Sequence, residues 1–166
     1  MSKHHGASGP TRAVEALETA GVSYTIVEYR HDPRSRSFGE ESAERIGGDP
    51  GRIFKTLLVR CDGDEYVVAV VPVDHHLSMK AIARAVGGKS AEMADPAVAQ
   101  RRTGYVVGGI SPLGQTTRHR TFIDESALDH ETILVSGGKR GMSVEVSPVD
   151  LAEVTGADIA DLRALG

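Results

Sequence analysis

The feature that most restricts this chain is a pair of β-rich runs, 53–61 and 65–73, separated by a short segment that includes Asp62-Gly63. Asp-Gly accepts positive φ at a tight turn, so the pattern predicts a hairpin. Its first run contains Phe54-Lys55-Thr56-Leu57-Leu58-Val59. Side chains alternate across a strand, which puts Lys55 on a face with Leu57 and Val59, and Phe54, Thr56 and Leu58 on the other. Both faces are largely apolar, as in a central strand. An ammonium near the start of such a strand must reach solvent along its stem, pair with an anion, or serve a ligand.

The remaining segments alternate in type. Residues 11–20 read as a helix with Ala13, Val14, Leu17 and Ala20 on one face and Gly21 as the stop. Residues 23–29 alternate like a strand, 30–37 form a charged loop, and 39–46 read as a short helix ended by Gly47-Gly48. A helix is expected over 77–86. Asp95-Pro96 and Ser147-Pro148 each place a capping residue before a proline at the first helical position, predicting helices over 96–102 and from 148 onward. Short strands are expected at 105–107, 121–124, 132–136 and 143–147. The hairpin breaks a pure βαβ pattern, so the expected class is a mixed α+β fold in a single domain over 10–166. Residues 1–9 are polar and Gly/Ser-rich and read as a disordered tail, in which His4-His5 is solvated rather than metal-binding.

Composition narrows the function. The 166 residues carry a formal charge of −4, with 16 basic and 15 acidic side chains in 30–140. That is no generic polyanion binder, although a limited basic patch is compatible with it. No apolar run reaches membrane-spanning length, so no membrane role is expected, and no secretory signal is visible at the start. Cys61 is the single cysteine, which excludes an internal disulfide and fits a cytoplasmic location.

Several motifs fail on their own chemistry. Asp74-His75-His76 lacks the further ligands of a metal phosphoesterase centre, and neither a metal nor a cofactor is expected. Gly88-Lys89-Ser90 ends like a phosphate-binding loop, but position 83 is Ala and the segment follows a helix. Ser111 precedes Pro112, which has no N–H to serve as an oxyanion donor in a nucleophile elbow. What remains is Lys55 with two glycine clusters, Gly104 to Gly109 and Gly137 to Gly141. Paired glycines let backbone approach a ligand closely, though turn chemistry alone also explains them.

Four ordered segments carry a resemblance over residues 10–160. They are Tyr29-Arg30-His31-Asp32 with Phe38-Gly39, Phe54-Lys55-Thr56-Leu57, Met93-Ala94-Asp95-Pro96 with the run from Gly104 to Gly114, and Ser136-Gly137-Gly138-Lys139-Arg140-Gly141. Together they resemble the YbaK/EbsC group of aminoacyl-tRNA deacylases, relatives of the editing insertion of prolyl-tRNA synthetases. Thr56 and the Gly-Ile-Ser-Pro-Leu-Gly string resemble the Cys-tRNA(Pro) deacylase branch. Ser143 departs from it, since the branch often has Asp there.

The resemblance implies a barrel-like mixed sheet and trans-editing of mischarged Cys-tRNA(Pro), by hydrolase- or lyase-type ester cleavage with the substrate thiol as nucleophile. It implies Lys55 as the catalytic residue. Tyr29, Phe38, Thr56, Gly108, Gly109, Ser136 and Ser143 are the implied substrate-binding residues, with the two glycine N–H groups stabilising an oxyanion. The implied partners are the aminoacyl-tRNA acceptor end and prolyl-tRNA synthetase. Deacylation of another small aminoacyl-tRNA (Ala- or Ser-), or a non-catalytic acceptor-end binding module, are the alternatives.

Overall fold

The computed structural model describes residues 10–165; the expected tail 1–9, with its His4-His5 pair, lies outside them. The hairpin forms as β2 (Phe54–Cys61) and β3 (Glu65–Pro72), antiparallel, with Lys55 opposite Val71. Asp62 takes φ +41° and Gly63 +98° at the turn. The Asp62 carboxylate accepts the Lys89 N–H (2.9 Å) and Ser90 N–H (2.8 Å). Gly88-Lys89-Ser90 therefore does wrap an anion, but the anion is the protein's own.

Around the hairpin a five-stranded sheet runs in the order β4 (Ala91–Met93), β2, β3, β5 (Arg120–Asp124), β8 (Asp158–Ala160), with β3–β5 and β5–β8 parallel. A second, antiparallel sheet runs β1 (Tyr24–Glu28), β7 (Met142–Val146), β6 (Ile133–Lys139). Among the described residues one isolated bridge, Ile53–Leu134, links them. β3 explains its own composition: Val68 and Val70 enter one apolar cluster, while Val67, Ala69 and Val71 enter the other. A strand covered on both faces needs a continuous apolar run, and each buried Val contributes roughly 1.5–3 kcal/mol.

Helices α1 (Arg12–Ala20), α2 (Phe38–Ile46), α3 (Met79–Val86), α4 (Pro96–Thr103) and α5 (Pro148–Thr155) cover the sheets. The expected caps form at α4 and α5, where the Asp95 carboxylate accepts the Ala97 N–H and Ser147 Oγ the Asp150 N–H. α3 starts two residues later than expected, because Leu77 bridges to Arg163 and Ser78 is the cap. The expected strand at 105–107 is instead a turn. Thr103 Oγ1 takes the Tyr105 N–H and Gln100 Oε1 the Val107 N–H, so side chains replace the ladder. β4 and β8, three residues each, were not foreseen. Among the described residues no helix is long and apolar enough to cross a membrane.

Candidate functional site

Beyond the Ile53–Leu134 bridge, β2 and β6 belong to different sheets, and a cleft of about 290 Å³ opens between them. Its floor is the first half of β2, Phe54 to Leu58. Strand β4 flanks β2 only from Leu58 onward, where the Ala94 N–H meets the Leu58 carbonyl at 3.0 Å. Backbone groups alternate sides along a strand, so Thr56 presents its N–H and C=O on the edge that β4 leaves open. Its Oγ1 is buried and has no hydrogen-bond partner among the described residues.

Lys55 lines the same cleft, half-buried. Burial pulls its amine below the ordinary lysine value, and the Asp74 carboxylate pushes it part of the way back. Among the described lining residues it is the one ionised side chain. Among the described residues no histidine, cysteine or carboxylate lines the cleft, so the hydroxyls of Ser42, Thr56, Ser136 and Ser143 have no imidazole or carboxylate base beside them there. Cys61 sits at the far end of β2, fully buried in the second cluster.

The expected residues gather with one exception. Tyr29, Phe38, Thr56, Gly108, Ser136 and Ser143 all line the cleft beside Lys55. Ser136 and Ser143 are cross-strand partners on β6 and β7, next to the bulge that precedes Lys139. Gly109 does not line it. Its N–H already donates to the Val106 carbonyl (2.8 Å), and a Cβ there would lie 2.8 Å from Lys139 Cα. The expectation of two glycine donors is thereby corrected: Gly108 faces the cleft, and Gly109 lets the two glycine segments pack together.

Gly108 is required for a second reason. It has φ +90°, and a Cβ on it would sit 2.6 Å from the Phe38 ring. The same ring carries the Arg140 guanidinium at 4.7 Å from its centroid, held by an Arg140 Nε–H bond to the Val107 carbonyl (2.8 Å). Phe38 thus packs against both Arg140 and Gly108 as a wall of the cleft. Behind it, the buried Glu41 accepts His31 Nδ1 (2.6 Å) and the Asp32 N–H (2.7 Å), tying the 30–32 loop to α2. None of this clamp was legible as a motif, nor were the apolar lining residues Val73, Met93, Ala99 and Met142.

Comparison with known proteins shows the family. Residues 32–154 match the aminoacyl-tRNA editing domain family. EbsC of Enterococcus faecalis, provisionally named a Cys-tRNA(Pro)/Cys-tRNA(Cys) deacylase, is 36% identical over 152 residues, 92% of each chain. A proline–tRNA ligase of Brachyspira hyodysenteriae is 27% identical over 125 residues, 74% of this chain and 21% of the ligase. A crystal structure of a provisionally named trans-editing enzyme for prolyl-tRNA synthetase is alike at TM-score 0.81 and 29% identity, over 93% of this chain and 96% of that one.

Proposed function

Because the chain belongs to the aminoacyl-tRNA editing domain family, we propose that it is a trans-editing deacylase that clears Cys-tRNA(Pro) using the substrate's own thiol. The observation that carries this reading is a single amine in an apolar cleft whose described lining holds hydroxyls but no imidazole or carboxylate. An aminoacyl ester is already activated, so such a site needs to orient its substrate more than to attack it.

The step balances without a protein nucleophile. The cysteinyl sulfur bonds to the ester carbonyl carbon, the carbon–oxygen bond to the tRNA breaks, and the thiol proton ends on the departing ribose oxygen. The product is a four-membered thiolactone, which water opens. Lys55 holds the terminal phosphate or the ester oxygens and so fixes the reactive rotamer. Orientation of this kind is worth up to ~7–11 kcal/mol in ideal cases. The Gly108 N–H faces the developing oxyanion, Tyr29 and Phe38 wall the acyl group or stack on the terminal adenine, and Thr56, Ser136 and Ser143 bond the amine or ribose. With Ser143 in place of a carboxylate, that contact is a neutral hydrogen bond. Likeness to part of a proline–tRNA ligase supports prolyl-tRNA synthetase as the partner that delivers the tRNA.

Deacylation of a panel of aminoacyl-tRNAs, with and without that synthetase, tests the reading. Cys-tRNA(Pro) is cleaved by the wild type and at least about 100-fold more slowly by a folded Lys55→Ala variant. Near-full activity of that variant refutes the role of Lys55. Equal rates on Cys- and Ser-tRNA(Pro) refute thiol attack and point to activated water.

A further inference from the structure

The charge on this protein is distributed unevenly in a way its total hides. Between Asp95 and Asp124 there is no acidic residue, and there are four arginines: Arg101, Arg102, Arg118 and Arg120. In a chain of net charge −4 this segment stands at +4. It does not gain charge from His119, which burial and the Arg102 guanidinium hold neutral down to about pH 4.

The fold puts this segment beside the cleft. Pro96 and Ala99 at the start of α4, and Val107 and Gly108 after it, are lining residues. From Pro96 the exposed side of α4 carries Ala97, Gln100 and Arg101 away from the cleft mouth. The loop 116–118 then lies against the end of α4, where the Thr116 N–H bonds the Thr103 carbonyl and the Thr117 N–H the Arg102 carbonyl (each 3.1 Å). That places the Arg118 backbone near the helix terminus, about 12 Å from its start at 1.5 Å per residue, with its guanidinium near Gly156 at the end of α5.

Two of the four guanidinium groups have internal work. Arg102 lies over the Tyr66 ring at 4.6 Å and donates to His119 Nε2, and Arg120 lies over Phe122 and bonds the Val86 carbonyl. Among the described residues, Arg101 and Arg118 are exposed and have no ion pair or hydrogen bond through their side chains. The 30–45 segment, whose Phe38, Gly39 and Ser42 also line the cleft, is different. Residues 30–45 hold four basic and four acidic side chains, Arg34 pairs with Asp32, and Arg36 bonds the Pro33 and Ser35 carbonyls.

We propose that the exposed side of α4 and the 116–118 loop form a phosphate shelf, on which Arg101 and Arg118 hold the backbone of the unpaired RNA 3′ end that leads into the cleft. The shelf deepens the deacylase reading and rests on it for the identity of the RNA. Its contacts are to phosphates, so they add affinity and direction without reading sequence.

The test is a double variant, Arg101→Ala with Arg118→Ala, and a charge control, Lys80→Ala on α3. With Cys-tRNA(Pro), the double variant raises KM of order 10-fold at low salt, leaves kcat within about 2-fold, and flattens the log–log salt dependence of KM by about 1.4, the value for two single-strand phosphate contacts. Lys80→Ala changes neither. Fluorescence anisotropy with an uncharged, labelled RNA oligonucleotide ending in CCA reads the shelf without catalysis, and the double variant weakens that binding by a similar factor. Unchanged RNA affinity and salt slope in the double variant overturn the shelf. If the wild type binds this RNA through the two arginines yet cleaves no aminoacyl-tRNA, the shelf stands and the deacylase reading falls.

Discussion

Gly108→Ala probes the wall of the cleft, and its cost divides into two parts that can be measured separately. The first is conformational. At φ +90° an alanine meets a backbone penalty of roughly 1–2 kcal/mol that glycine escapes. The second is steric, because the new Cβ would lie 2.6 Å from the Phe38 ring, well inside van der Waals contact. Arg140 packs on that ring at 4.7 Å and is itself tied to the Val107 carbonyl, and the His31 ring lies 5.9 Å from it, so a shift of the ring disturbs both contacts. Forcing a methyl into such a site costs about 1–3 kcal/mol. The sum is about 2–5 kcal/mol in the wild-type background. With Phe38→Ala in place the steric part vanishes and only the backbone part remains. Urea unfolding of the four proteins in this cycle gives the coupling directly, expected at about 1–3 kcal/mol. Deacylation falls in both single variants, since both disturb the same wall. If Gly108→Ala costs the same with and without Phe38, the clamp of Arg140, Phe38 and Gly108 is not what holds the wall.

Other outcomes follow from groups outside the cleft. Burial first, and Arg102 second, depress the His119 pKa from 6.5 to about 4. Its unfolded form therefore binds the proton first as pH falls, so stability is complete above about pH 6.5 and declines towards pH 4. The loss between pH 7 and 5 is of order 2 kcal/mol by urea unfolding, and it disappears in His119→Gln if that group is responsible. Glu41→Ala strands the Asp32 N–H and frees His31, so it costs about 1–3 kcal/mol and loosens the 30–32 loop, read as faster amide exchange there. Asp124→Ala removes the acceptor of the Leu162 and Ser126 N–H groups and the partner of Arg163, and lowers stability by about 3–5 kcal/mol.

Local chemistry decided which parts of this molecule could be read in advance. Asp62-Gly63, Asp95-Pro96 and Ser147-Pro148 each contain their own turn or cap, and each formed where the residues required it. Lys55 was conspicuous because a charge in an apolar strand needs a reason. Residues 105–107 misled because Val and Tyr favour strands, whereas Gln100 and Thr103, both on the preceding helix, supply the acceptors that make a turn. Strands β4 and β8 have no β signature and exist only because neighbours pair with them. The resemblance implies both Gly108 and Gly109 at the substrate, and the structure lines the cleft with Gly108 alone of the two. Which of two adjacent glycines faces a ligand depends on a close approach by Lys139 and Arg140 from a distant hairpin, and spacing along the chain does not contain that information.

Thr56 offers the sharpest separation of stability from function. Its Oγ1 is buried in the floor of the cleft with no partner among the described residues, on the strand edge that β4 leaves open. A hydroxyl in that state is a penalty to the free protein, and a natural chain retains it at a cost of about 1–3 kcal/mol unless something else satisfies it. Val has nearly the same shape and a comparable preference for strands. Thr56→Val is therefore expected to raise stability by about 1 kcal/mol, seen as a Tm increase of a few degrees. If the hydroxyl is retained for the acyl amine or ribose, the same substitution removes a bond made only in the complex, and kcat/KM on Cys-tRNA(Pro) falls roughly 5- to 10-fold. A more stable and equally active variant would show that the hydroxyl serves no substrate. A less stable one would show that it has an internal partner after all.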